Sequence, residues 1–311
     1  MPQGRTPSPR IAVLLATHDG ERFLAEQLAS ILDQRGAELT VFVSDDASRD
    51  GTLAILERFA ADDPRVRILP PGTFGAAAPN FYRLLRDVDL TPFDYVGFAD
   101  QDDLWAPTKL SRHIELLREH RADGVSSNVT AFHADGTRVL VRKDYPQRLA
   151  DYAFETPGPG STYLVTRRLA EMTKRQLTDP NSPADRAEAH DWLVYALARA
   201  AGLTWVIDPE STVEYRQHDA NAVGANTGVS QALKRVRLMA RGWHRGQVLL
   251  TVDACIRVAS PEELPRLQWL HEMLEPRTPL SSVRLARRAG QYRRRPRDRA
   301  VIGAFMLLGL W

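Results

Sequence analysis

The chain has a single cysteine, Cys255, in 311 residues, so no internal disulfide framework holds it together, and a reducing compartment suits it. Runs of about 18 or more apolar residues are missing as well, so no helical segment is expected to span a bilayer. Met1 to Arg10 lacks the apolar core of a secretory signal. Residues 1–9 are therefore expected to be a short disordered lead-in, and the protein is expected in the cytoplasm. There are no internal repeats, which removes solenoids and propellers. No Gly-Lys-Ser/Thr ending follows a glycine-rich stretch, so Gly158–Ser161 reads as a loop and not as a phosphate cradle.

What is present is ordinary for a globular protein: 43% hydrophobic and 26% charged residues. The length fits one large α/β domain, or a domain with an appendage. The net charge of +2 is unevenly spread. Arg284 to Arg299 holds eight arginines and one aspartate, a net +7, which leaves −5 for the rest. A mildly acidic body with a basic tail points to a partner for the tail.

The first hundred residues alternate strand and helix patterns. Ile11–Thr17 is a short apolar run of buried-strand type, and Phe23–Leu32 places its apolar residues at helical spacing. Thr40–Val43, Val66–Leu69 and Tyr95–Phe98 read as further strands; Thr52–Phe59, Asn80–Leu85 and Lys109–Arg118 read as helices. Such alternation implies βαβ units and a mostly parallel sheet flanked by helices. Ligands of such sheets bind beyond the carboxyl ends of the strands. His18-Asp19, Asp45-Asp46 and Asp100–Asp103 each follow a strand at that end. Further on, Gly124–His133 and Arg138–Arg142 form an expected hairpin through Asp135-Gly136. A helix is expected around Tyr163–Leu177, a polar loop over Thr178–Glu188, a helix over Asp191–Ala201 and a strand over Thr204–Ile207. Gln231–Val258 and Glu262–Leu274 read as helices, and Pro279–Trp311 as a basic helical tail.

The clusters carry the chemistry. In Val43-Ser44-Asp45-Asp46 two acids leave a buried strand, and an ionised Asp46 can accept from a nucleobase N–H or a ribose hydroxyl. Asp50 reads as a turn former and cap. Asp100-Gln101-Asp102-Asp103 is the strongest feature. Carboxylates packed at a strand end raise each other's pKa unless a cation or bonded donors neutralise them. A hard divalent metal removes that penalty and also binds a diphosphate. Asp191 admits two readings, a helix cap and a general base aimed at an acceptor hydroxyl. His218 is either a solvated loop histidine or a metal ligand, and Arg216 a candidate for phosphate.

Together these residues resemble family 2 glycosyltransferases of the GT-A fold over roughly residues 10–220. The resemblance rests on Ala16-Thr17-His18-Asp19 with Glu21, on Asp45 to Thr52, on the D-Q-D-D-x-W-x-P element ending at Trp105 and Pro107, and on His190-Asp191-Trp192 and Tyr215 to His218. It implies that Thr17, His18, Glu21, Asp46 and Asp100 contact the donor nucleotide. It further implies that Asp102, with His218, holds Mn²⁺ or Mg²⁺ on the diphosphate, and that Asp191 is the catalytic base. Ser161, Trp192 and Arg216 are the expected contacts to acceptor or phosphate. Where many members have Tyr or Phe and Asn, this chain has His18-Asp19; where many have an acidic pair, it has His190-Asp191. The Gln-x-x-Arg-Trp motif of processive polysaccharide synthases is missing. The D-Q-D-D-L-W form is similar to bacterial rhamnosyltransferase-like enzymes, which makes dTDP-rhamnose a donor candidate beside UDP-sugars.

The expectation is a GT-A domain over 10–225 and a helical C-terminal region over 226–311. It would be an inverting enzyme that moves a sugar from a nucleotide-sugar to a hydroxyl of a glycan or lipid-linked acceptor in surface polysaccharide assembly. The arginine run lacks interleaved aromatics beyond Tyr292, so nucleic acid is not an expected partner. Beside Val301–Trp311 the run reads as an interfacial anchor on anionic membranes, with Trp311 inserting. A nucleotidyltransferase would need a lysine-containing glycine-rich loop, and His18-Asp19-Gly20-Glu21-Arg22 is a poor one. A non-catalytic membrane scaffold would not need Asp102, Asp191 and His218.

Overall fold

The computed structural model describes residues 8–218 and 242–311. Its first half follows the expected alternation. Strand β1 (Arg10–Thr17) pairs in parallel with β2 (Glu38–Asp45) on one side and with β4 (Tyr95–Ala99) on the other. Strand β3 (Val66–Ile68) extends the sheet beyond β2. Helices α1 (Leu24–Leu32), α2 (Thr52–Asp62), α3 (Ala77–Asp87) and α4 (Lys109–Glu119) connect and cover it. Residues 11–15 of β1 are all fully buried, because helices cover both faces and a strand so covered has no polar side. Ile11, Val13 and Leu15 join α1, α2 and α4 on one face, while Ala12, Leu14 and Ala16 join α3 on the other. This is the two-residue period of a strand.

The second half makes the sheet mixed. Among the described residues nine strands form one sheet in the order β3-β2-β1-β4-β8-β6-β9-β5, with β7 (Arg138–Val141) paired to β6 (Gly124–Phe132) as the expected hairpin. The helix expected from Tyr163 instead begins at Arg167. Residues Leu164–Thr166 form β8, antiparallel to both β4 and β6. Tyr163-Leu164-Val165 is aromatic, apolar and buried, and it closes the gap between the two halves of the sheet. Helix α5 (Arg167–Thr178) then starts on the Thr166 side chain, which accepts the Leu169 N–H. Strand β9 (Trp205–Arg216) runs twelve residues, well past the expected Ile207, with register shifts near Asn128. Its far end pairs with β5 (Leu104–Trp105), which carries residues 216–218 beside Asp102.

Helix α6 (His190–Ala200) leads into a C-terminal set: α7 (Trp243–Ile256), α8 (Leu264–Leu274), α9 (Pro279–Ala286) and α10 (Pro296–Leu307). Residues 231–241 of the helix expected from Gln231, and the boundary at 225/226, lie outside the described residues. One apolar cluster runs from Leu14, Phe81 and Phe98 through Leu193 to Val248, Leu267, Ile302 and Trp311, so these helices share the core of the sheet's face. The tail is not a continuous amphipathic helix, and the expected membrane insertion of Trp311 is corrected. Its ring is 6% exposed, stacks near Phe154 and donates from Nε1 to Nδ1 of His244 at 2.8 Å. Among the described residues no helix is long and apolar enough to cross a membrane.

Candidate active site

Three loops leave the carboxyl ends of β1, β2 and β4, and they are laced together by their own polar groups. Asp45 accepts from the Thr17 hydroxyl at 2.8 Å, from the Ser48 hydroxyl at 2.6 Å and from the Ser48 N–H at 2.9 Å. Asp19 takes the Arg49 N–H, Glu21 takes the Gly51 N–H, and Asp50 takes the N–H groups of Glu21 and Thr52. Asp50 thus performs the turn role expected of it. Gln101 reaches back to the first loop, accepting the His18 N–H and donating to the His18 carbonyl, each at 2.8 Å. Asp19 and Ala47 hold positive φ angles of 45° and 53°, strain that tends to collect at ligand-binding loops.

Within this frame Thr17 is 1% exposed with its hydroxyl committed to Asp45, so it shapes the cradle. His18 is exposed, its Nδ1 2.7 Å from the Asp46 carbonyl oxygen. The Asp46 carboxylate accepts the Phe74 N–H, which ties the β2 loop to the stretch after β3. Asn80 of α3 donates to the carbonyls of Ser44 and Thr17, stapling the ends of β1 and β2.

The acidic cluster lies at the end of β4. Asp102 Oδ2 is 2.7 Å from His218 Nε2, so a carboxylate and an imidazole 116 residues apart converge. Burial, then the charges of Asp102 and Asp191, push the Asp100 carboxyl up to about 7. Asp103 is fully buried, and burial followed by Asp100 and Asp102 drives its carboxyl well above the usual range. Crowded carboxyls that hold their protons when no cation is present have the character of a divalent-metal site. Among the described residues no three His, Cys, Asp or Glu side chains are grouped to cage an ion. Two protein ligands completed by diphosphate oxygens is the usual arrangement for Mg²⁺ and related ions.

Not every expected residue reaches the rim. Arg216 donates to the Asp102 carbonyl at 2.9 Å and to Glu26 at 2.5 Å, between the rings of Phe23 and Phe132. It braces the loop that carries Asp102, with its guanidinium engaged by protein partners. Ser161, expected at the acceptor, is fully buried in a 3-10 turn. Trp192 is turned inward, donating from Nε1 to the Tyr152 carbonyl and stacking on His244. Gly160 and Thr162 beside Ser161, and Leu193 beside Trp192, are buried as well.

Asp191 opens α6, but the N-cap position belongs to Ala189. Its Oδ1 accepts the Trp192 N–H at 2.7 Å, and the Thr156 hydroxyl lies 3.3 Å from its Oδ2. Burial raises the Asp191 pKa, while these hydrogen bonds and Lys143 oppose the rise. The preceding His190 stacks on Phe81 at 3.8 Å and is pushed down to about 3 by burial, so it is neutral. The loop over 178–189 is anchored: Tyr82 donates to the Ala187 carbonyl and Glu188 N–H to Gln247.

Sequence reasoning missed four contributors: Gln101, Lys109, Thr156 and Arg294. Lys109 is fully buried with Nζ 3.6 Å from the Trp105 ring centroid, and burial pulls it down to about 7 against the pull of Asp103. Its helical spacing behind an acidic cluster was the available signal. Thr156 and Arg294 gave none, because they meet only in the folded chain.

The family Glycosyl transferase family 2 matches residues 12–173. The curated dTDP-rhamnosyl transferase RfbG of Shigella flexneri is 41% identical over 243 residues, 77% of this chain and 84% of its own. The putative glycosyltransferase EpsE of Bacillus subtilis is 30% identical over 153 residues, 49% of this chain and 51% of its own. Among solved structures, S. aureus TarS 1-349 in complex with UDP-GlcNAc aligns with a TM-score of 0.56 at 13% identity, over 96% of this chain and 92% of its own. The mannosyltransferase PcManGT of Pyrobaculum calidifontis, in complex with GDP-Man and Mn²⁺, aligns with a TM-score of 0.55 at 20% identity, over 98% and 82%. At those identities the likeness speaks for the fold.

Proposed function

The chain belongs to glycosyl transferase family 2 and is a glycosyltransferase of GT-A fold, and we propose that it inverts the anomeric centre of a nucleoside-diphosphate sugar with Asp191 as base. The observation that carries this reading is the convergence of Asp102 and His218 on a rim where Asp100 also feels the charge of Asp191. On this reading the candidate cation site and the candidate base would face one cleft. The acceptor oxygen bonds to the anomeric carbon, the bond from that carbon to the diphosphate breaks, and the hydroxyl proton passes to Asp191. Asp102 and His218 would hold Mn²⁺ or Mg²⁺. When bound, the ion supplies Lewis-acid stabilisation of the departing diphosphate. Asp46, His18 and Glu21, with the bracing of Thr17, would seat the nucleoside, and Asp100 would lie beside the ribose and diphosphate.

The identity with the rhamnosyl transferase supports dTDP-rhamnose as donor over UDP-sugars; the acceptor in this reading is a glycan or lipid-linked hydroxyl of a surface polysaccharide. Arg284, Arg287, Arg288, Arg295 and Arg297 are exposed, as are Leu307, Leu308 and Leu310. These residues, without Trp311, would form a peripheral contact with an anionic membrane at the cytoplasmic face, each arginine contributing about 1 kcal/mol. Incubation with dTDP-rhamnose, UDP-sugars, Mn²⁺ and an acceptor tests the reading. Release of a nucleoside diphosphate with inverted product is expected; pyrophosphate release or a retained configuration rejects it. Indifference to anionic vesicles at low salt would remove the membrane contact alone.

A further inference from the structure

The C-terminal segment reaches the base through a short chain of contacts. Arg294 is 4% exposed, and its guanidinium donates to Asp151 Oδ2 at 3.2 Å and to the Thr156 carbonyl at 2.5 Å. Its own N–H goes to Glu155. Asp151 is fully buried and also meets Arg199 and the Tyr195 hydroxyl. Phe154 is stacked by Tyr292 at 4.1 Å and by Trp311 at 5.9 Å, and its carbonyl lies 3.2 Å from His244 Nε2. Residues 151–156 are thus gripped from behind by residues 289–311. At the front of that stretch, the Thr156 hydroxyl lies 2.6 Å from the Tyr163 hydroxyl, 2.8 Å from the Gly158 carbonyl and 3.3 Å from Asp191 Oδ2. With the Tyr163 hydroxyl donating, Thr156 keeps its single proton for Gly158 or Asp191. A catalytic hydrogen bond in a ligand-free site is often long and tightens when substrate arrives.

We propose that Thr156 and Arg294 are positioning residues for Asp191, and that the C-terminal helices are a working part of the acceptor side. This rests on the reading of Asp191 as the base. Asp191 Oδ1 is fixed by the Trp192 N–H, and the Thr156 proton, turned from the Gly158 carbonyl to Oδ2, would hold the carboxylate in one rotamer for the acceptor. Arg294 sets where Thr156 stands, since its guanidinium grips the Thr156 carbonyl and the Asp151 carboxylate together.

The test compares turnover, donor affinity and pH profile for Thr156→Val, Thr156→Ser, Arg294→Lys, Asp191→Asn and the pair Thr156→Val with Asp191→Asn. Thr156→Val keeps the side-chain shape and should lower kcat about tenfold, the value of one hydrogen bond to a charged group. Donor affinity by calorimetry should stay within about twofold, because no donor contact changes. Losing a donor that favours the ionised form raises the Asp191 pKa, so the acidic limb of the kcat profile should move to higher pH. The other groups facing Asp191 are Lys143, Asp100, Tyr82, Tyr163 and neutral His190, and none is altered. Thr156→Ser should restore most of the loss, and Arg294→Lys should lower kcat with donor affinity kept. In the Asp191→Asn background Thr156→Val should cost nothing further. An equal fold-loss in both backgrounds overturns the proposal, as does normal turnover of Thr156→Val beside an inactive Asp191→Asn. Normal turnover of Asp191→Asn alone overturns the base reading, and the proposal with it.

Discussion

On the proposed donor side, each acidic group follows its strand within a few residues, and the loops after β1, β2 and β4 bond to one another across 28 to 83 positions, with His218 joining Asp102 from 116 positions away. On the acceptor side, Asp191 is held by Thr156, and Thr156 by Arg294, which lies 138 positions away on a different layer. The donor wall is made of strand ends, whose direction is dictated by the sheet. The proposed acceptor wall is made by packing, around a buried Asp151–Arg294 ion pair. Strand ends carry short contiguous motifs that a reader can see. Packed walls scatter their members, and a buried pair that loses one partner typically costs about 3–5 kcal/mol.

Four experiments bear on that contrast, in descending order of expected effect. Asp102→Ala should abolish metal-dependent binding of a nucleoside diphosphate and lower turnover by about 10⁴, since a cation contributes several kcal/mol of charge stabilisation. Equal affinities with and without chelator, read by calorimetry, would take the metal away from the donor wall. Asp191→Asn should reduce kcat by ~10²–10⁴ with donor affinity and melting temperature near wild type. Retained turnover would leave Asp191 a structural residue that holds the Trp192 N–H in the first turn of α6.

Trp311→Ala should destabilise the fold by about 3–5 kcal/mol, as truncations of buried tryptophan do. It should also lower turnover more than donor affinity, because Phe154 loses a stacking partner. A mild effect on unfolding by denaturant would mean that the tail is a separable appendage after all. The smallest effect concerns pH. Burial holds His244, the Trp311 acceptor, and His190 down to about 3. A histidine neutral in the fold is charged in the unfolded chain below about 6.5. Between those values the unfolded state binds more protons, so stability falls as pH falls, by at most about 1.4 kcal/mol per pH unit for each group. Melting temperature should therefore drop from pH 7 to 5, and His244→Gln should flatten the drop. An unchanged slope in that variant would exclude His244 as a source.

How much the sequence disclosed follows the same divide. The strand-end placement of Asp46 and Asp102 was legible, because acids directly after apolar runs have few other reasons to be there, whereas the meeting of His218 with Asp102 was expected only from the family resemblance. The N-terminal strands and helices were legible from periodicity to within a few residues. Strand β8 was not, since Tyr163-Leu164-Val165-Thr166 runs without a break signal into α5, and a short apolar run has no period of its own. Arg294 hid in a run of arginines, five of which are exposed as a basic run ordinarily is. Trp192 and Ser161 are buried together with Leu193, Gly160 and Thr162, and short stretches of this kind carry no pattern that marks them as interior.

The clasp between Gln101 and the His18 backbone limits what can stand at a neighbouring glycine. A Cβ at Gly20 would stand 2.3 Å from the Gln101 Oε1, so any side chain there evicts the glutamine amide. Opening the clasp frees the β1 loop from the β4 loop and leaves the His18 N–H and carbonyl without the partner that ties them to the acidic cluster. Positions 20 and 101, eighty-one residues apart, are therefore sterically coupled, and a side chain at position 20 fits only with the residue at position 101 shortened or turned away.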